Sequence, residues 1–220
     1  MLEEFGELLG QLFPATDPDV VRKFVEALRR DRPISKELYT ATMPEGLCQG
    51  DILGPVTFKL LGDDGKWAET KSQGLVLSNS CDIENEDIVT IALCFSYDQF
   101  VDDVRHARPR DFPQTVARNL ISQLLYLPGV PATGDLVCDL SIVTSVSRRY
   151  LQAEIARSAV RRVSAFTQLG YYLFLSKLSI HYLRPEQDVG RPPAHRPTFL
   201  DRFREVLRIL GFTKVVRLKR

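Results

Sequence analysis

Residues 75–93, LVLSNSCDIENEDIVTIAL, contain two short apolar runs separated by a polar segment. Both runs are rich in leucine and β-branched residues, which favours buried strands. Small polar side chains, a thiol and a carboxylate follow the first run at Ser78, Cys81 and Asp82. Because rigid strands fix the loops between them, we predict these three residues as a candidate catalytic site. The same residue types also end strands by bonding to their own backbone, so a structural role is the alternative.

Further strands are predicted on both sides of this segment. Upstream, residues 51–60 form an apolar run, residues 62–65 are typical of a hairpin turn, and Trp67 begins a returning strand. Downstream, residues 136–146 alternate and are rich in valine, which indicates a strand of the same sheet. About five short strands joined by tight turns tend to close, because closure removes exposed edges. We therefore predict a small β-barrel or a strongly curved sheet.

Helical periodicity flanks the predicted sheet at both ends, with apolar residues at three- and four-residue steps. The fold class is predicted to be α+β. We divide the chain into N-terminal helices at 1–45, a β-barrel core with a helical insertion at 46–146, and a basic helical region at 147–220. Helices are predicted at residues 2–13, 17–30, 97–106, 116–125, 150–162, 166–182 and 199–210.

The composition is that of an ordinary folded protein without a membrane segment. Hydrophobic residues make up 44% and charged residues 26% of the chain, and nothing approaches the roughly 18 consecutive apolar residues that a membrane span needs. The N-terminus is acidic where a secretory leader would be positive. We therefore expect a cytoplasmic protein whose four cysteines are free thiols.

Neither the cysteines nor the acidic residues have the spacing of a metal site. The cysteines form no C-x-x-C pair and have no nearby histidine pair, which argues against structural zinc. The carboxylates at Asp82, Glu84, Glu86 and Asp87 lack the central glycine of a calcium loop. We predict no metal and no cofactor.

The net charge of +1 conceals a strong division along the chain. Residues 1–140 carry 13 Lys/Arg against 23 Asp/Glu, whereas residues 141–220 carry 16 against 5. A basic block of this size is typical of a nucleic-acid contact, and it could equally dock onto the acidic part of the same chain or of a second copy. The cations predicted to contact phosphates are Arg202, Arg208, Lys214, Arg217, Lys219 and Arg220.

Residues 49–96 resemble the MazF/PemK toxin family in the order of their signals. The small SH3-like barrels of that family open with a G-D-I strand and later show a V-L-S strand end, which are residues 50–52 and 76–78 here. The resemblance covers about a fifth of the chain. It implies a barrel that binds single-stranded RNA and that, in active members, cleaves RNA without a metal by means of an arginine and a hydroxyl residue.

The catalytic residues of that family are not preserved. Its Arg-Pro pair before the V-L-S strand is replaced by residues 71–73, and its P-x-T string by residues 92–96. Lys71 and Ser96 could take the equivalent places, but a lysine is a point charge and does not clamp a phosphate with two parallel bonds. We therefore predict that Lys71 contacts nucleic acid and that the toxin chemistry is lost or replaced.

Nucleophilic catalysis by a cysteine is a second hypothesis for residues 78–82. Cys81 could be activated by His106 or His181, with Asp82 or Asp139 orienting the base. Buried and unreactive cysteine is the commoner fate of this residue type, and we expect Cys81 to be at least partly shielded from solvent.

Together these observations favour binding over catalysis. We predict a cytoplasmic bacterial protein that binds RNA or DNA through a toxin-like barrel and its basic C-terminal region, in the setting of a toxin–antitoxin or phage-defence system. The alternative is a non-enzymatic subunit that assembles with protein partners, or with a second copy, through its acidic and basic halves. A second alternative is a ribonuclease or cysteine hydrolase centred on residues 78–82. No membrane contact is expected.

Overall fold

Six antiparallel strands form one open sheet in the computed structural model, which describes residues 35–61, 65–104 and 108–182. The order across the sheet is β4-β5-β3-β2-β1-β6. The two apolar runs that flank the polar segment end β2 and form β3, at the centre of the sheet. The strands are β1 (Ile52–Leu61), β2 (Trp67–Val76), β3 (Ile88–Ser96), β4 (Leu124–Val130), β5 (Gly134–Ser147) and β6 (Arg161–Ser164).

Helices cover both faces of this sheet, which confirms the α+β class. The strand β3 is therefore buried from Ile91 to Phe95 without alternation, as a strand with two covered faces must be. Within the described ranges, no helix is long and apolar enough to cross a membrane. One face is covered by α1 (Ser35–Leu38) and α6 (Gln168–Tyr182), and the other by α2 (Ser80–Asn85), α3 (Tyr97–Val104), α4 (Phe112–Ala117) and α5 (Arg148–Ala156).

The sheet curves without closing. A β-bulge between Leu53 and Val56 shifts the register of β1 against β2. β1 also contacts β5, which is not its neighbour in the sheet, so the β1–β2 hairpin bends toward β5. The predicted closure into a barrel is not confirmed, because β4 and β6 remain the two edges of an open sheet.

The β1–β2 hairpin extends beyond its neighbours in the sheet. The ladder between β6 and β1 ends at Gly54, and the ladder between β2 and β3 begins at Gln73. The rest of the hairpin is therefore a two-stranded ribbon that pairs only with itself among the described residues. This ribbon forms one wall of the groove described below.

Close contact between α6 and α1 depends on a glycine. A Cβ atom built on Gly170 would stand 2.3 Å from the carbonyl oxygen of Leu38. The Thr167 N–H donates to the same carbonyl at 2.9 Å, and Tyr39 forms an isolated β-bridge with Phe166. A side chain at Gly170 would therefore push α6 away from a junction that several bonds hold in place.

Two helix predictions are wrong in part. Of the stripe at residues 116–125, the first two residues lie in α4 and the last two begin the strand β4. Of the helix predicted at 150–162, residues 150–156 lie in α5 and the last two begin the edge strand β6. Short apolar stretches satisfy helical and strand patterns alike, and strand partners that are distant in sequence decide between them. The helices predicted at 2–13, 17–30 and 199–210 lie outside the described residues.

Candidate functional site

The polar side chains that follow β2 form local hydrogen bonds. The Ser78 hydroxyl accepts from the Thr90 N–H at 2.8 Å. The Ser80 hydroxyl accepts from the Gln49 N–H at 3.0 Å and so ties the segment before β1 to the start of α2. Both serines therefore satisfy backbone donors, which is the structural role that this residue type has at strand ends.

Cys81 and Asp82 lie exposed on α2. The expectation that Cys81 is partly shielded is therefore wrong. The helix exposes these side chains because its buried residue is Ile83, and Asn79 caps it by accepting from the Cys81 N–H at 3.0 Å. Among the hydrogen bonds of the described residues, none joins Ser78, Cys81 and Asp82, so their catalytic role stays a prediction.

Asp139 and His181, two of the predicted partners of Cys81, have contacts with other residues. The Asp139 carboxylate accepts from the backbone N–H of Ser141 at 2.9 Å and from its hydroxyl at 2.6 Å. His181 lies near the end of α6, where its ring packs edge-on against Tyr182 at a centroid distance of 4.8 Å. His106 lies outside the described residues.

A groove of about 750 Å³ lies between the β1–β2 hairpin, the end of β5 and α5. Its hairpin wall includes Trp67, Glu69 and Lys71, which share one face because alternate residues of a strand point the same way. Lys59 of β1 lies opposite Glu69 in the ladder. This wall therefore carries an aromatic ring and charges of both signs.

The opposite wall of the groove comes from α5 and the end of β5. Tyr150 and Glu154 lie about one helical turn apart, and Arg157 follows at the C-cap, so the three side chains share one side of the helix. Val143 of β5 adds an exposed apolar contact. Aromatic, cationic and anionic groups thus line both walls.

The two aromatic side chains of the groove are unusually open to solvent. Trp67 is 68% exposed and Tyr150 is 55% exposed. Aromatic residues bury large areas when they have a partner, and this pair leaves much of its apolar surface open within one groove. Trp67 is also the single tryptophan of the chain, which makes it a specific optical probe of the groove.

The charges of the groove are paired except at one position. Lys59 Nζ lies 3.6 Å from a carboxylate oxygen of Glu69, and the guanidinium of Arg157 bonds to the buried carboxylate of Glu154. That hydrogen bond and the charge of Glu154 raise the pKa of Arg157. Within the described residues Lys71, the predicted nucleic-acid contact, has no ion-pair or hydrogen-bond partner. Its ammonium is therefore available to an anionic ligand.

A buried ion pair fixes the edge of the sheet beside the groove. Asp51, which is 0% exposed, accepts from the Arg162 Nε–H at 2.9 Å and from the Cys48 N–H at 2.8 Å. Burial raises the pKa of Asp51, while the Cys48 N–H and the Arg162 guanidinium act in the opposite direction. Arg162 also donates to the Pro44 carbonyl at 2.8 Å, so the pair joins β6 to the segment before β1. We assign it a structural role.

The sequence contains a partial signal for this groove. Trp67, Glu69 and Lys71 alternate with smaller residues, which marks one face of a strand, and Tyr150, Glu154 and Arg157 have helical spacing. The sequence pattern does not show that these two groups of residues lie close together in the fold. The two groups are far apart in sequence, and only the curvature of the sheet brings them together across one groove.

No known protein-family model matches the chain, and no curated protein sequence matches it. The resemblance of residues 49–96 to the MazF/PemK toxins therefore stays a prediction. The predicted phosphate contacts Arg202, Arg208, Lys214, Arg217, Lys219 and Arg220 lie outside the described residues.

Proposed function

We propose that this protein binds single-stranded nucleic acid in the groove between the β1–β2 hairpin and α5. The observation that carries the proposal is that two exposed aromatic rings, Trp67 and Tyr150, line the same groove as Lys71, whose ammonium has no partner among the described residues. Proteins that bind single strands combine a positively charged groove with aromatic side chains on which bases stack. Each stacked base contributes about 1–3 kcal/mol in such sites.

Some residues of the groove would contact the bases of the nucleic acid, and others would contact its phosphate backbone. Trp67 and Tyr150 offer flat faces to unstacked bases, and Lys71 binds a phosphate. Lys59 and Arg157 contribute less, because Glu69 and Glu154 already neutralise them. The predicted basic C-terminal block would add sequence-independent contacts to the phosphate backbone.

We place this activity in a toxin-like bacterial protein. The bend that brings β1 against β5 supports an opened relative of the SH3-like barrel, although the described sheet is not closed. The proposed setting is a toxin–antitoxin or phage-defence system in the cytoplasm. Binding without cleavage is the proposed activity, since the family's arginine is absent and Lys71, which could take its place, does not clamp a phosphate with two parallel bonds.

The fluorescence of Trp67 provides the direct test. Single-stranded RNA and DNA oligonucleotides that carry a fluorescent label are titrated with the protein at three salt concentrations. The anisotropy of the label gives the affinity, and the tryptophan emission reports stacking. Stacking on Trp67 should quench its emission, and phosphate contacts should make log affinity fall with log salt. Lys71→Ala should reduce the magnitude of the salt slope by about one, as expected for one lost phosphate contact.

Arg110→Ala is the matched control, because Arg110 is exposed but does not line the groove. It should leave both the affinity and the quenching unchanged. Binding that is equally strong in Lys71→Ala, or binding that leaves the tryptophan emission unaltered, would place the nucleic acid elsewhere and refute the groove proposal.

Protein assembly is the second candidate, and the open edge of β1 favours it. β6 pairs with β1 only from Ile52 to Gly54. Beyond that point residues 56–61 of β1 pair with β2 on one side and have no strand partner on the other side among the described residues. An extended peptide could add a strand there through main-chain hydrogen bonds. Such binding would depend weakly on salt, which separates it from phosphate recognition in the same titration series.

A further inference from the structure

Two cysteines lie beside one hydrogen bond at the end of the sheet where β2 ends and β1 begins. The Gln49 N–H donates to the Ser80 hydroxyl at 3.0 Å. Cys48 precedes Gln49 in the chain, and Cys81 follows Ser80. The hydrogen bond therefore brings together two chain segments that each carry a thiol next to the point of contact.

Two further observations connect these segments. Burial and Asp51 raise the pKa of the Cys48 thiol, while Arg162 and the Ser80 hydroxyl act in the opposite direction. The pKa of Tyr171 is raised first by burial and then by Cys81, Tyr172 and Cys48. The Tyr171 hydroxyl itself donates to the Gln49 side chain at 2.6 Å.

The other two cysteines have a different environment. Cys94 and Cys138 are cross-strand partners on β3 and β5, and both are completely buried. Cys81 is exposed and Cys48 is half-buried. A water-soluble oxidant therefore reaches Cys81 and Cys48 while the central pair stays enclosed by the sheet and its helices.

We propose that Cys81 and Cys48 form an oxidation site that closes to a disulfide when the protein meets a hydroperoxide. The Cys81 thiolate attacks the terminal peroxide oxygen, the O–O bond breaks, and the leaving hydroxide or alkoxide takes up a proton. Cys81 is then a sulfenic acid. The Cys48 thiolate attacks its sulfur, the S–O bond breaks, and the leaving hydroxide takes up a proton to become water. Two thiols have lost two electrons, and the peroxide has been reduced to water and, for an organic peroxide, an alcohol.

The local backbone favours this closure. Residues 41–47 contain no helix or strand, and Gly46 has a positive φ of 72° with open space around it. Arg162 and Asp51 hold the Pro44 carbonyl and the Cys48 N–H, so the adjustment to the short Cα separation of a disulfide falls on residues 45–47 and on the exposed Cys81. The resulting bond would covalently join the entry of β1 to α2.

The experiment treats the full-length native protein with hydrogen peroxide, blocks the remaining thiols with a maleimide, and maps disulfides by mass spectrometry without reduction. The expected result is a Cys48–Cys81 linked peptide in the monomer, with a loss of two of the four free thiols and recovery after dithiothreitol. In Cys48→Ser, a dimedone adduct should accumulate on Cys81, since the resolving thiol is missing.

Cys81→Ser is the second variant, and because the position is exposed it should fold normally, which a thermal melt verifies. It should retain all three remaining thiols under the same treatment. Four unreacted thiols in the wild type, a Cys94–Cys138 disulfide as the first product, or a disulfide that joins two chains would each overturn the proposal. The readout is chemical and does not depend on nucleic-acid binding.

Discussion

Replacing Lys177 by methionine should make the protein more stable at neutral pH. Lys177 lies on α6, is 5% exposed, and its Nζ donates to the Asn119 carbonyl at 2.6 Å. Burial lowers its pKa from 10.5 to about 8. The folded protein therefore disfavours the charged side chain, which the unfolded chain hydrates freely. Methionine is similar in length, is apolar, and adapts its shape to an irregular core.

The magnitude follows from the difference in pKa between the folded and unfolded states. Lowering the pKa from 10.5 to about 8 corresponds to at most about 3 kcal/mol of unfolding free energy below pH 8. Partial access of water reduces this figure, and the lost bond to Asn119 offsets roughly 1 kcal/mol more. We expect Lys177→Met to raise the unfolding free energy at pH 7 by about 1–2 kcal/mol.

The sign of the pH dependence separates this explanation from a simple packing effect. Between pH 8 and 10.5 the unfolded chain binds a proton at Lys177 that the folded protein has lost, so wild-type stability rises with pH relative to the methionine variant. Tyrosines and cysteines that titrate in the same range affect both proteins and cancel in the difference.

Urea unfolding of both proteins from pH 7 to 10.5 measures that difference. Lys66→Met, at an exposed position, is the control for the change from lysine to methionine itself. A Lys177→Met protein that is less stable than wild type at pH 7, or a stability difference that stays constant between pH 8 and 10.5, would refute the reasoning.

The remaining predictions concern folding and use the same urea assay. Leu77→Asp buries a charge without a partner and should leave the protein unfolded or insoluble, so a normal transition would contradict the buried position of Leu77 at the end of β2. Gly170→Ala should lower the unfolding free energy by about 1–3 kcal/mol, because its Cβ meets the Leu38 carbonyl; an unchanged midpoint would show that α6 shifts freely. Arg162→Ala should cost about 3–5 kcal/mol by leaving Asp51 unpaired, and adding Asp51→Asn should recover part of the loss; additive losses would argue against the ion pair.

Local patterns predicted the central strands and the longest helix correctly. The apolar runs that flank Ser78 became the end of β2 and β3, Trp67 begins β2 as expected, and the predicted helix at 166–182 corresponds closely to α6. These elements have strong signals of their own. The first two residues of each edge strand, β4 and β6, fall within predicted helices, because the identity of these strands depends on partners far away in the chain.

In the candidate site, too, the sequence determines some properties and the tertiary structure decides others. Sequence alone determined which residues could do chemistry near Ser78 and Cys81, since residue type and strand ends are local properties. Only the tertiary structure decided that Ser78 satisfies a backbone donor and that Cys81 faces solvent. It also decided that Trp67 and Tyr150 line one groove, because the bending of a sheet depends on contacts between distant segments that no local pattern contains.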